Sequence, residues 1–187
     1  KNIIKNKKVV LMIGDTGSGL FDTLQKRKPK QFINAGIAEA NMVTTACGLS
    51  SYGFNVFVYA IGPHVVYRAY EQIRNDVCLN NSNVKIVSIG SGLHYADHGP
   101  THHSTEDFAV LRCLPNLKIY SPCGDREVVE MTNYLSNTKG PAYLRLGRGN
   151  DNLFTSKFIP QKANLISKGS NLSIITTGAS VSETFNL

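Results

Sequence analysis

Apolar residues along this chain fall in short unbroken runs, separated by stretches in which they recur every three or four positions. The runs lie at residues 9–13 (VVLMI), 55–61 (NVFVYAI), 84–89 (VKIVSI), 117–120 (LKIY) and 142–146 (AYLRL), with a shorter one at Phe32-Ile33. Runs without alternation predict strands buried on both faces. The periodic stretches predict helices over residues 20–28, 37–51, 64–79, 105–114 and 125–136. Pro29 stops the first and Gly53 ends the second. Thr105 is the expected N-cap of the fourth. Strands alternating with helices predict an α/β fold, a doubly wound and mostly parallel sheet with helices on both faces.

The pattern changes after residue 150. Residues 151–171 have mixed polarity and no period, as in a linker. Residues 172–177 (LSIITT) form another apolar run, expected to be a strand that opens a further domain over 172–187. The expected organisation is an α/β domain over residues 1–150, the linker, and the start of a truncated second domain. The chain does not begin with Met, which suggests a fragment or an upstream cut.

In open parallel sheets, ligands sit beyond the carboxyl ends of the strands. Four polar loops fall there: residues 14–19, 36–39, 90–104 and 147–150. The second carries Glu39 in the first turn of a helix, and no other acid lies between Asp22 and Glu71. One reading is an acid complementing the positive end of the helix dipole. The other is a carboxylate held among Ala38, Ala40 and Met42 to move a proton.

The loop at residues 14–19 is rich in glycine but fits neither GxxxxGK[ST] nor GxGxxG. Its Asp15 either orients a ligand or holds its own turn. The loop at 90–104 carries four of the five histidines, His94, His98, His102 and His103. Gly99-Pro100 breaks any helix there, so their spacing has no helical meaning. Solvated histidines, a metal site built by loop geometry, and neutral donors over a substrate all remain open. Arg145 and Arg148 close the last strand, where a guanidinium can grip phosphate in bidentate fashion.

Charge and cysteines narrow the classes. The net charge is +7, with basic residues gathered at the amino end and at residues 26–30. No basic and aromatic interleaving of a nucleic-acid module accompanies them, so they read as solvated surface with a weak pull toward phosphorylated ligands. Four separated cysteines without a CxxC pair suit a reducing cytoplasm, with Cys47 and Cys113 as small buried residues. No apolar run is long enough to span a bilayer.

Five blocks in order, GIAEANM (36–42), YAIGPHVVYRAYEQIRND (59–76), HGPTHHSTED (98–107), LRCLPNLKIYSP (111–122) and GPAYLRLGRGN (140–150), resemble the pyrimidine-binding domain of the transketolase family. That family includes deoxyxylulose-phosphate synthase, and its members use thiamine diphosphate. The resemblance covers roughly residues 9–150, and residues 172–182 look like the first strand of the family's carboxy-terminal domain.

The resemblance implies that Glu39 bonds a ring nitrogen of the cofactor's aminopyrimidine and favours the tautomer that activates the thiazolium carbon. It implies Asp15 near the cofactor, Val65 in the place of an aromatic that packs on the pyrimidine, and His102, Arg68 and Arg148 at the substrate. His98 stands where many members have an acid, with Asp97 one position earlier. The motif that holds Mg2+ and diphosphate in the family is absent from this chain. A diphosphate-binding domain or subunit is therefore an implied partner, in a homodimer or heterotetramer acting on sugar phosphates. The activity the resemblance implies is transfer of a two-carbon ketol unit between sugars; deoxyxylulose-phosphate synthesis and a non-catalytic interaction subunit of the same fold are the alternatives.

Overall fold

The structure is a computed structural model in which residues 6–147 and 158–185 are described. Arg148 lies outside the described residues. Six strands form one parallel sheet: β1 (Val9–Ile13), β2 (Phe32–Asn34), β3 (Asn55–Ile61), β4 (Val84–Ile89), β5 (Lys118–Tyr120) and β6 (Ala142–Leu146), in the order β2-β1-β3-β4-β6-β5. Every pairing is parallel, so the mostly parallel expectation is realised in full.

The unbroken runs become strands because both faces of the sheet are covered. Val10, Met12, Val56, Val58 and Ile86 face α2 (Glu39–Ser51), α3 (Gly62–Val66) and α5 (Asp107–Leu111). Their neighbours Val9, Leu11, Ile13, Phe57 and Val87 face Met131 and Leu135 of α6 (Asp125–Asn137). Alternation of side chains across a strand makes two cores from one sequence run. A short helix, α1 (Asp22–Arg27), precedes a 3-10 turn at Pro29–Gln31.

Four expectations are corrected. The single helix over residues 64–79 is instead α3, a turn at residues 67–69, α4 (Tyr70–Gln72) and a π-helical stretch at Ile73–Leu79. The wider turn buries Ile73, Val77 and Cys78 together against the sheet. Thr105 does not cap its helix. That helix is α5, Thr105 bonds Glu106 instead, and the Asp107 carboxylate takes the Phe108 N–H. Cys113 is exposed rather than buried, since α5 ends before it. Residues 172–177 form no strand, and Ile175 is 98% exposed. An apolar run becomes a strand only against a hydrogen-bonding edge, and neither β2 nor β5 pairs with it. The segment leads into α7 (Ser180–Phe185), whose Val181 is buried.

Among the described residues, no helix is long and apolar enough to cross a membrane.

Candidate active site

The chain runs from β1 outward to β2, then back across β1 to β3. This reversal opens a crevice at the carboxyl ends of β1 and β3, where α/β sheets bind ligands. Gly14 ends β1 there, and its N–H donates to the Tyr59 carbonyl. A Cβ on Gly14 would lie 3.5 Å from Glu39 Cγ and 3.7 Å from Oε1. The Glu39 side chain therefore packs at ordinary contact distance beside the strand end.

Glu39 is 1% exposed at the first position of α2. Residues on the segment after β3 close over it. Arg68 Nη1 donates to Oε2 at 2.5 Å, and His64 Nδ1 stands 3.9 Å from Oε1. Burial pushes the His64 pKa below its ordinary 6.5, and Arg68 and His102 push it the same way against the pull of Glu39. His64 is therefore neutral at pH 7, and its contact with Glu39 is that of a dipole with a carboxylate. The niche expected to be apolar holds a guanidinium and an imidazole as well. The helix end and the Arg68 guanidinium both present positive charge to the Glu39 side chain.

The loop after β4 supplies the outer wall. The His102 ring lies 5.2 Å from His64, 5.4 Å from Tyr95 and 5.1 Å from His98, centroid to centroid. The Thr101 hydroxyl meets His102 Nδ1 at 2.9 Å, leaving Nε2 for a ligand. His98 Nδ1 is 3.2 Å from Asp97 Oδ1, so the acid one position early still pairs with the histidine in its place. His94 and His103 serve the loop itself: His94 bonds the Ser91 carbonyl and His103 the Ala96 carbonyl. The rings meet edge-on or tilted, and no group of three or more metal-ligating side chains occurs among the described residues.

Beneath the loop lies a buried network that sequence reasoning missed. Asp107 is fully buried and its Oδ2 accepts from Tyr143 OH and Arg145 Nε, each at 2.7 Å. Tyr143 also meets Ser88 Oγ at 2.6 Å, and Arg145 Nη2 donates to the Ser104 carbonyl. Burial, with the Asp107 charge, pushes the Tyr143 phenol well above 10. Arg145, a candidate for gripping phosphate, is thus committed to Asp107. A two-residue bridge between Gly92 and Ser104 pins the ends of the loop over this network.

The structure brings Glu39, Arg68, His98 and His102 together and adds His64 and Tyr95. Arg68, expected at a substrate, is on Glu39. Asp15 is exposed at the rim, accepts from Asn34 Nδ2 at 2.9 Å and holds a left-handed φ of 53°. It therefore joins the ends of β1 and β2. Val65 has no exposed surface and packs in the core, so a ring could reach it only if the helix moved. The one sequence signal for His64 was its place four residues before Arg68. Tyr95 carried none.

Residues 3–152 match the family model described as the transketolase pyrimidine binding domain. An apulose-4-phosphate transketolase subunit of Phocaeicola vulgatus is 35% identical over 185 residues, covering 95% of this chain and 58% of that protein. The 1-deoxy-D-xylulose-5-phosphate synthase of Thermosynechococcus vestitus is 44% identical over 136 residues, covering 72% of this chain and 21% of that protein. A solved split gene transketolase, described as an inactive β4 tetramer, superposes with a TM-score of 0.86 at 28% identity. That match covers 98% of this chain and 62% of the other. The chain spans 58% of the length of the first of these relatives. It belongs to the transketolase family, and residues 3–152 are that family's pyrimidine-binding domain.

Proposed function

We propose that this chain is the pyrimidine-binding part of a thiamine-diphosphate-dependent enzyme that transfers a two-carbon ketol unit between sugars, phosphorylated ones among them. The observation that carries the reading is Glu39, a buried carboxylate at the crevice of the sheet, with His64, His98 and His102 grouped beside it. The donor set suits the pyrimidine end of the cofactor: one carboxylate able to bond a ring nitrogen, beside a half-exposed guanidinium. It does not suit the diphosphate end, since the described residues offer no metal-ligand group. Mg2+ and diphosphate then belong to another domain or subunit, in a homodimer or heterotetramer in the cytoplasm. The related split-gene β4 tetramer is described as inactive, which agrees with a chain that needs such a partner.

When bound, the cofactor supplies a carbon that can hold the carbanion left by carbon–carbon cleavage. The chain's own work is positional and protonic. Glu39 would hold the pyrimidine nitrogen, and Arg68 fixes Glu39. His102 presents Nε2 to a substrate hydroxyl or carbonyl, with Thr101 setting its ring. His98 stands beside it. Asp15 at the rim and Arg148 are proposed to contact cofactor and substrate phosphate.

The test combines the chain with its diphosphate-binding partner, thiamine diphosphate, Mg2+ and sugar phosphates. Glu39→Gln should lower ketol transfer by about a hundredfold or more. Equal activity in both proteins removes Glu39 from the mechanism, and no activity with any partner favours the interaction-subunit reading. A second reading, deoxyxylulose-phosphate synthesis, is favoured by the higher identity to that synthase over its shorter match. Formation of deoxyxylulose phosphate, without ketol transfer between sugars, would select it.

A further inference from the structure

The end of the sheet opposite Glu39 carries a second feature, independent of the function proposed above. A cavity of about 1080 Å³ lies beyond the amino ends of β3, β4, β5 and β6. Among the described residues, Lys8, Lys118 and Lys139 line it, and Asp76 is the one carboxylate in its wall. None of these lysines forms an ion pair among the described residues. Behind the wall sits Lys85, near the start of β4 and fully buried. Its ammonium donates to Asn83 Oδ1 at 2.8 Å and to the Gly140 carbonyl, and both acceptors belong to residues that line the cavity. Both are neutral. A buried ammonium with no counter-charge is rare because desolvation disfavours it.

The local charge does not cancel. α2 and the π-helical stretch at Ile73–Leu79 both end at this cavity, and each helix end contributes about half a negative charge. Asp76 adds one more. Against four lysines, about two positive charges remain. Burial lowers the Lys85 pKa to about 8, with Lys118 adding to the effect, so these cations repel one another across the wall. Much of the neutral polar lining is already committed to the fold: Asn80 Nδ2 donates to the Asn75 and Asp76 carbonyls, Asn116 Nδ2 to the Cys78 carbonyl and Ser82 Oγ to the Asp76 carbonyl, so the lysines are the groups left to meet a ligand.

We propose that this cavity binds a phosphorylated small molecule, whose dianionic group sits among Lys8, Lys118 and Lys139 and supplies the charge that Lys85 lacks. Phosphate fits better than a monocarboxylate because about two positive charges remain to be met. The site lies at the far end of the strands from Glu39, so its ligand would not compete with a substrate there. The free ion and the phosphate of a larger metabolite share this chemistry and are separated by the probes.

The experiment is titration calorimetry of the full chain at low ionic strength, with inorganic phosphate, inorganic pyrophosphate and adenosine triphosphate as probes. One-site saturable binding of at least one probe is expected. Lys118→Gln/Lys139→Gln should weaken it at least tenfold, while Lys26→Gln/Lys28→Gln, which removes the same charge elsewhere, should leave it within twofold. Phosphate alone binding would assign the free ion, and preference for the nucleotide would assign a larger metabolite. If the first double variant does not fold, Lys139→Gln alone, on an exposed turn, is measured with a threefold loss expected. Non-saturable binding of all three probes, or equal losses in the two double variants, would overturn the proposal.

Discussion

Arg68 Nη1 lies 2.5 Å from Glu39 Oε2, and the two sit on segments that follow different strands, β2 and β3. The pair fixes a buried carboxylate at the crevice of the sheet. Its partner is 48% exposed in its side chain, so solvent screens part of the attraction. Arg68→Met should therefore destabilise the chain by about 1–3 kcal/mol, less than a fully buried pair would. Urea denaturation of the variant measures it. A change near zero would mean that Glu39 needs no counter-ion.

His64 makes stability depend on pH. Its folded-state pKa lies below its ordinary 6.5. Between those two values the unfolded chain binds more protons than the folded one. Stability therefore rises with pH through that window and falls as pH drops toward the folded pKa. The stability difference between wild type and His64→Phe should move against the wild type as pH is lowered from about 7 to about 5. A difference that stays flat would show that His64 is not buried as described.

Gly90 holds a φ of +79°, and a Cβ there would lie 1.9 Å from Tyr95 Cε2. Gly90→Ala should displace Tyr95 and with it the support for His102. The expected result is a loss of ketol transfer of about tenfold or more, with stability lowered by about 1–3 kcal/mol. Retained activity with lowered stability would separate Tyr95 from the site.

The network at Asp107 predicts a graded series. Asp107→Ala strips Arg145 and Tyr143 of a shared acceptor and should destabilise by about 3–5 kcal/mol. Tyr143→Phe removes the hydrogen bonds to Asp107 and Ser88 but leaves the Arg145–Asp107 pair, and should destabilise by about 1–3 kcal/mol. Equal effects of the two in chemical denaturation would count against the arrangement described.

Lys85 gives the same sign as His64, in a more alkaline window. Its pKa falls from 10.5 to about 8. Between those values the unfolded chain binds more protons, so this group's contribution to stability improves as pH rises through that window. Below it, the buried ammonium opposes folding by up to about 3 kcal/mol. Lys85→Met should be more stable than wild type near pH 7, in the absence of phosphate, with the gap closing toward pH 10. Thermal unfolding across that range measures it.

The strand runs were legible because a strand buried on both faces leaves an unbroken apolar word. The breaks at Gly53 and Pro29 were legible because those residues act through their own backbone. The helix over residues 64–79 was not, since the choice between α and π turns rests on how Ile73, Val77 and Cys78 pack against the sheet. The run at 172–177 misled for a related reason: strand propensity is local, but a strand is completed by its partner's edge.

The sequence by itself determined the alternation of strands and helices, the loops at the strand ends, and Glu39 as a lone acid in one of them. Those depend on local pattern and on five ordered blocks. Only the tertiary structure decided that Arg68 and His64 close on Glu39, that Arg145 belongs to Asp107 rather than to a ligand, and that Lys85 is buried without a counter-charge. Each of these joins residues at least 25 positions apart. Such contacts are set by strand order and register, and no local periodicity encodes them.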